Sequence, residues 1–310
     1  MNSPTAVSWD AETLWHELRA LLPGLSVEVL ASCDSTNTVL VDRARRSAGV
    51  ADDQPSRMGE LEPPISGPIP LAEATRHGRR AGDTQPCLLV AEAQTRGRGR
   101  QGRNWVSSPD ASLTFSLALR FDPPDWSGLS LAVGVALAEA LDARTDASGP
   151  RVGLKWPNDL MWCDGAGPAR KLGGILIETV PVGQRRMAVI GVGLNIAPLA
   201  DAPVDELSQG YAHLRELLPG ITPPQALRRV AAPLLRSVLQ FQREGFAPFK
   251  AGFEQRDVLA GRAVRTLAEP PLEGTALGVD ASGALCVRVG TEVRLLASGE
   301  VSLRAAGGSA

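Results

Sequence analysis

Apolar positions recur along the chain at two spacings, and the alternation between them predicts its elements. In AETLWHELRALL, residues 11–22, Leu14, Leu18, Leu21 and Leu22 fall on one helical face, with Asp10 placed to cap the first turn. LSVEVLASCDSTNT then alternates like a strand and ends in a polar turn. Ser35 or Thr36 there can start a helix over NTVLVDRARR. CLLVAEAQ is apolar enough for a buried strand, and SLTFSLALRF alternates through Leu113, Phe115, Leu117 and Leu119. WSGLSLAVGVALAEALDA reads as an apolar helix capped by Ser127, and VGLKWPNDL as a short strand broken at Pro157. KLGGILIETV and RRMAVIGVGLNI pair as an antiparallel hairpin through Pro181-Val182-Gly183. Thr222-Pro223 opens a helix whose apolar face holds Leu227, Val230, Leu234, Val238 and Phe241.

Past Phe253 the helical period stops. RAVRTLA, LEGTALGVD, ALCVRVG and EVRLLASGEVSL are short strands between Gly and Asp turns, including Asp280-Ala-Ser-Gly283, which predicts a small SH3-like β-barrel. The expected division is residues 1–254 and 257–306. Residues 44–85, rich in Pro, Gly, Arg and acidic groups without a period, predict a long flexible insertion.

Composition narrows the function classes. The chain has 310 residues, 44% hydrophobic, which suffices for a large core. A net charge of -2 offers no global attraction to a polyanion, so a nucleic-acid partner is not expected. The four cysteines form no C-x-x-C and the three histidines are scattered, which speaks against zinc and disulfides and for a reducing cytoplasm. The N-terminal residues lack a basic region followed by an apolar one, so no signal peptide is expected, nor a membrane span.

The candidate chemistry begins at AEAQTRGRGRQGRNW, residues 91–105. Gly97, Gly99 and Gly102 match G-x-G-x-x-G, and Arg96, Arg98, Arg100 and Arg103 surround them. A dinucleotide-binding turn needs a helix opening at its last glycine. Here RNWVSSPDASLTF leads through a turn into a strand, so that reading fails. Nucleic-acid binding has the arginines but lacks interleaved aromatics and a helix-turn-helix pair. A solvated charged loop is the plain alternative. Glycine alternating with arginine instead suits a loop that is mobile when empty and ordered by an anion that guanidinium groups can fork.

Four further stretches complete the pattern: Ser35-Thr36-Asn37 after a strand, Lys155-Trp156-Pro157-Asn158-Asp159, Lys171-Leu172-Gly173-Gly174-Ile175-Leu176-Ile177-Glu178, and Gly191-Val192-Gly193-Leu194-Asn195. Singly, each reads as a helix cap, a surface turn or a strand end. Together with Gln94 and the Gly97–Gly102 loop, in this order, the chain resembles the biotin protein ligase (biotin–acetyl-CoA-carboxylase ligase) family. The winged-helix repressor domain of some members has no counterpart, and residues 44–85 are longer than the family usually carries.

The resemblance implies an α+β catalytic domain like class II synthetases, a mixed or antiparallel sheet flanked by helices, followed by the SH3-like β-barrel. It implies activation of biotin with ATP and Mg²⁺ to biotinyl-5′-AMP, then transfer to one lysine of a biotin carboxyl carrier domain, as in acetyl-CoA carboxylase. Biotin would be held by Ser35, Thr36, Asn37, Gln94, the Gly97–Arg100 loop, Lys155, Gly173 and Gly174. Trp105, Asn158, Lys171 and Asn195 would border the nucleotide. Lys155 is the expected catalytic cation, with Arg98 and Arg100 closing from the loop, and Asp159 a candidate for Mg²⁺ or for assisting the acceptor amine. A homodimer is compatible with this reading. A lipoate or octanoate ligase of the same fold is the nearest rival. A ligand-sensing, nucleic-acid-binding regulator is the rival of another class.

Overall fold

The structure is a computed structural model that describes residues 8–51, 84–143, 149–199, 210–266, 270–297 and 303–305. In chain order it runs α1 (Ala11–Arg19), β1 (Ser26–Cys33), α2 (Thr36–Ala51), β2 (Cys87–Gln94), β3 (Ser112–Arg120), α3 (Leu129–Leu141), β4 (Val152–Lys155), β5 (Asp159–Trp162), β6 (Arg170–Val182) and β7 (Arg185–Asn195). There follow α4 (Pro223–Glu244), α5 (Lys250–Glu254), β8 (Ala263–Thr266), β9 (Glu273–Val279), β10 (Leu285–Val289), β11 (Glu292–Leu296) and β12 (Leu303–Ala305).

The first seven strands form one mixed sheet in the order β1-β2-β3-β7-β6-β5-β4. Only β1 and β2 run parallel; the remaining pairs are antiparallel. Helix α2 crosses between the parallel strands and covers one face, where Leu40, Val41 and Ala44 meet Leu89, Ala118, Val180, Met187 and Val189. Helices α1, α3 and α4 cover the other face over Leu88, Val90, Phe115, Ile190 and Val192. Strand β3 lies in the middle with every residue but Arg120 buried, so its apolar alternation marks two covered faces rather than one.

The last five strands make a second, antiparallel sheet in the order β11-β10-β9-β8-β12. Its inner residues Val264, Ala276, Val279, Leu285 and Val287 belong to the same apolar cluster as α3 and α4, bridged by Phe246, Phe249 and Phe253. Asp280 folds the turn before β10 by accepting from the backbone N–H of Ser282 and Ala284.

Several local expectations are corrected. Asp10 precedes α1 in the left-handed region with no capping bond, and its carboxylate pairs with Arg228 of α4 instead. Gly128, not Ser127, caps α3, at φ 79. A Cβ on Gly128 would lie 2.6 Å from the Phe246 ring and 2.8 Å from Ser282 O, so the contact with the second sheet excludes a side chain there. The stretch assigned to a flexible insertion begins as helix, since α2 continues to Ala51; its remainder, 52–83, lies outside the described residues. Helix α4 begins as expected, with Thr222 and Gln225 in a reciprocal capping box and prolines in its first turn.

The Gly-Arg loop also has more structure than its composition predicts. Trp105 N donates to Gly97 O at 2.9 Å and Gly99 N to Arg103 O at 2.7 Å, closing a narrow double-backed turn. Its tip is a single 3-10 turn, Arg100–Gly102, with Gln101 at φ 55.

Candidate active site

Glycines placed on alternate positions of two neighbouring strands open the site. Gly174 of β6 pairs with Gly193 of β7, and Leu176 with Gly191; on the other flank Gly193 pairs with Thr114 and Gly191 with Ser116. These positions share the α2 face of the sheet, because side chains alternate along a strand. With no side chain at Gly174, Gly191 and Gly193 the face is hollow, and neighbouring elements lean into it. A Cβ on Gly191 would lie 2.3 Å from Asn37 Oδ1, and one on Gly193 would lie 2.4 Å from the Trp105 ring.

The rim comes from three loops. The turn into α2 supplies Ser35, Thr36 and Asn37, all buried. The Gly-Arg loop after β2 supplies Arg98, Gly99, Arg100, Arg103 and Trp105. The β4–β5 hairpin supplies Lys155 and Asp159, which its three-residue turn sets directly opposite each other; the Trp156–Pro157 peptide in that turn is cis. Trp156 is buried and donates its indole N–H to Gly283 O, tying the hairpin to the second sheet.

One end of the cavity is a hydrogen-bonding cage. Gln94 Oε1 accepts from Thr36 N at 2.8 Å and from Thr36 Oγ1 at 3.2 Å. Ser116 Oγ donates to Asn37 Oδ1 at 2.6 Å and lies 2.6 Å from Thr36 Oγ1. Asn37 Nδ2 donates to Leu176 O at 3.2 Å and to Glu178 Oε2 at 3.0 Å. Asn37 is therefore spent on holding the floor, while Gln94 and Ser35 line the cavity and no hydrogen bond to a described residue is seen for the Gln94 amide N–H or the Ser35 hydroxyl. The buried Trp105 Nε1 also lacks a partner among the described residues. A buried donor without an acceptor is costly, so the Trp105 indole fits a ligand bearing a polar acceptor.

The other end is cationic. Lys155, Lys171, Arg98, Arg100 and Arg103 line the cavity with Asp159 as the acidic residue among them. Lys171 Nζ pairs with Asp159 Oδ1 at 2.8 Å. Burial lowers the Arg100 pKa from its usual value, and Asp159 acts in the opposite sense; a guanidinium nevertheless stays charged at neutral pH. Arg98 stands apart from this cluster, beside the cage, where it donates to Glu178 Oε1 at 2.7 Å and to Thr38 Oγ1 at 3.1 Å. Cys33 lies just before the rim; burial first, and Asp34 second, push its thiol up to about 11, which disfavours the thiolate. Among the described residues no cluster of three or more His, Cys, Asp or Glu could hold a metal ion.

Of the residues singled out in the sequence, Ser35, Thr36, Asn37, Gln94, Arg98, Gly99, Arg100, Trp105, Lys155, Asn158, Asp159, Lys171 and Gly174 line this one cavity. Three do not. A Cβ on Gly97 would sit 2.2 Å from Trp105 O, and one on Gly173 2.6 Å from Gly193 O, so these two glycines serve close backbone packing. Asn195 spends its amide on Lys171 O at 3.3 Å and Ala212 O at 3.0 Å, joining the end of β7 to the start of β6 and to the segment before α4. Ser116 and Thr114 were not singled out. Their signal is two hydroxyl residues at alternate positions of an otherwise apolar strand, opposite glycines that only the strand register reveals.

Comparison with known proteins agrees with this geometry. Residues 78–195 match the biotin/lipoate A/B protein ligase family and residues 260–304 the biotin protein ligase C-terminal domain. The bifunctional ligase/repressor BirA of Salmonella typhimurium is 34% identical over 289 residues, covering 91% of this chain and 75% of that protein. The chain belongs to the biotin protein ligase family. The biotin–[acetyl-CoA-carboxylase] ligase of Mycobacterium tuberculosis is 33% identical over 230 residues, or 71% of this chain and 79% of that one. The biotin protein ligase from Aquifex aeolicus in complex with biotin and ATP shares the fold, with a TM-score of 0.62 at 24% identity, over 90% of this chain and 99% of that one. Among the described residues no helix is long and apolar enough to cross a membrane.

Proposed function

We propose that this ligase activates biotin with MgATP and passes the biotinyl group to one lysine of a biotin carboxyl carrier domain. The observation that carries the reading is the two-ended cavity, a neutral hydrogen-bonding cage at one end and a cationic cluster at the other. Biotin has that polarity: a neutral ureido ring that offers one acceptor and two donors, and a carboxylate at the end of an apolar chain. The Gln94 amide and the Ser35 hydroxyl are the groups free to meet the ring; Thr36 and Asn37 hold the cage in shape.

In the first step a biotin carboxylate oxygen attacks the α-phosphorus of ATP. A C–O–P linkage forms, the bond to the β-phosphate oxygen breaks, and pyrophosphate leaves. Two anions approach one another, so the barrier falls when fixed cations already surround their meeting point. Lys155 takes that role at the tip of the hairpin, with Arg98 and Arg100 from the loop. Lys171, Asn158 and Trp105 border the nucleotide, and the unpartnered Trp105 Nε1 fits a nucleotide acceptor. Mg²⁺ would be brought by ATP and would offset the phosphate charge; Asp159, the only carboxylate among the described lining residues, is paired with Lys171. In the second step the acceptor amine attacks the acyl carbon and AMP leaves. Asp159, whose Oδ1 carries Lys171, would accept through its other oxygen the proton that the amine gives up.

Exchange of labelled pyrophosphate into ATP tests the first step without a carrier. Exchange should require both biotin and Mg²⁺. If lipoate or octanoate supports it and biotin does not, the substrate assignment is wrong.

A further inference from the structure

Glu178 is the residue that joins the floor of the cavity to its lid. It stands inside β6, paired with Val189, on the face that the glycines leave open. Its two oxygens take different partners: Oε2 accepts from Asn37 of the floor at 3.0 Å, and Oε1 accepts from Arg98 of the Gly-Arg loop at 2.7 Å. Thr38, one residue beyond Asn37, accepts from the other Arg98 nitrogen at 3.1 Å. The Glu178 side chain is 24% exposed and that of Arg98 46%, so the pair is only partly screened by water.

The loop is tied at its start by Arg96 N, which donates to Asp34 O at 2.9 Å, and at its end by Trp105, whose ring lies over Gly193. Between these ties its backbone bonds run from Trp105 to Gly97 and from Gly99 to Arg103, within the turn. A turn rich in glycine and closed on itself can swing as a unit about its ends. Arg98 lies between those ends and reaches to β6 and α2, so its ion pair favours the position in which the turn rests against the cavity.

We infer that Glu178 is a positioning residue, a clamp that favours the position of the Gly-Arg loop against the cavity and keeps Asn37 oriented at the same time. Sharing one carboxylate couples the two: a ligand that orders Asn37 also stiffens the anchor of the lid. A second consequence rests on the ligase reading given above. Loss of the clamp should let bound biotinyl-adenylate escape sooner, because the lid over it opens more often.

Limited trypsin digestion of the full-length, ligand-free protein tests the clamp without reference to any substrate. Cleavage after Arg98 is uninformative alone, since the protease must extract that side chain. Cleavage after Arg100 and Arg103, identified by mass, reports the opening of the loop. Glu178→Gln keeps the size and the acceptor for Asn37 but removes the charge, and should speed those cuts about two- to fivefold, the range expected for one partly exposed ion pair. Arg98→Gln should speed cleavage after Arg100 and Arg103 as much, and the double variant no further. Equal cleavage of wild type and Glu178→Gln, or effects of the two changes that multiply in the double variant, would overturn the clamp. Thermal melting of each variant separates loop opening from general unfolding, which would speed cuts everywhere. If the digestion behaves as expected while biotin fails to support pyrophosphate exchange, the clamp stands and the ligase reading falls. With exchange intact, release of bound biotinyl-adenylate should quicken by the same factor in Glu178→Gln; unchanged release would overturn the coupling to the site.

Discussion

Gly191→Ala is the sharpest perturbation of the cavity, because it adds one carbon and nothing else. The new Cβ would lie 2.3 Å from Asn37 Oδ1, 2.9 Å from Cγ and 3.2 Å from Nδ2. Ordinary contact begins near 3.4 Å, so the Asn37 amide must retreat by about 1 Å. It has no slack to do so, being held by Ser116 at 2.6 Å, by Leu176 O at 3.2 Å and by Glu178 at 3.0 Å. A shift of about 1 Å carries the Ser116 bond beyond hydrogen-bond length, leaving buried polar groups short of partners at a cost of about 1–3 kcal/mol. In a chain of this size that lowers the melting temperature by roughly 2–8 °C. Biotin affinity should fall about tenfold or more, since the cage that shapes the pocket is displaced. Scanning calorimetry and titration calorimetry read the two effects. Gly167→Ala is the matched control: its Cβ would meet nothing within 4 Å, and neither quantity should move. A Gly191→Ala protein with wild-type melting and wild-type biotin affinity would refute the claim that these glycines carve the site.

Two other substitutions probe separate parts of the argument. Lys155→Ala should slow adenylation by about two to three orders of magnitude, with melting temperature nearly unchanged, and single-turnover kinetics with biotin and ATP will show it; near-normal turnover would move the catalytic charge elsewhere. Asp257, beside the edge strand β4, is pushed up to about 6, by burial first and by Glu254 last, and its Oδ2 has no partner among the described residues. A carboxyl whose folded pKa is raised holds its proton better in the native state, so it costs stability as pH climbs from about 4 to about 6, and fully above that. Asp257→Asn keeps the Oδ1 acceptor for Leu259 N and should be about 1–3 kcal/mol more stable than wild type at pH 7, with the gap closing toward pH 4. Urea unfolding of both proteins across that range decides it, and a pH-independent difference would contradict the shift.

How much of this was legible in the sequence depends on how far apart the responsible residues lie. Local spacing was enough for the helices over Leu14–Leu18 and Leu227–Phe241, the β6–β7 hairpin and the strand-rich C-terminal segment, because each pattern is read within one element. Short motifs were enough to name most of the cavity's lining, since Lys155-Trp-Pro-Asn-Asp159 and Gly97–Gly102 place polar groups on loops between strands. Caps and packing were less accessible. Ser127 has the chemistry of a cap, but Gly128 takes the place because Phe246 and Ser282, more than a hundred residues on, leave no room for a Cβ. Asn195 sits in a strand-end motif like the others, yet its amide is consumed by Lys171 and Ala212. The same limit hid Ser116. Only the register of β3 on β7 puts it beside Asn37 and opposite Gly191, and register is set by cross-strand pairing rather than by neighbours in the chain. Residue types and their order determined the family and the chemistry on offer. Tertiary structure alone decided which polar groups are spent on each other and which stay free for a ligand, because a hydrogen bond is satisfied by whatever lies within 3 Å of it in space.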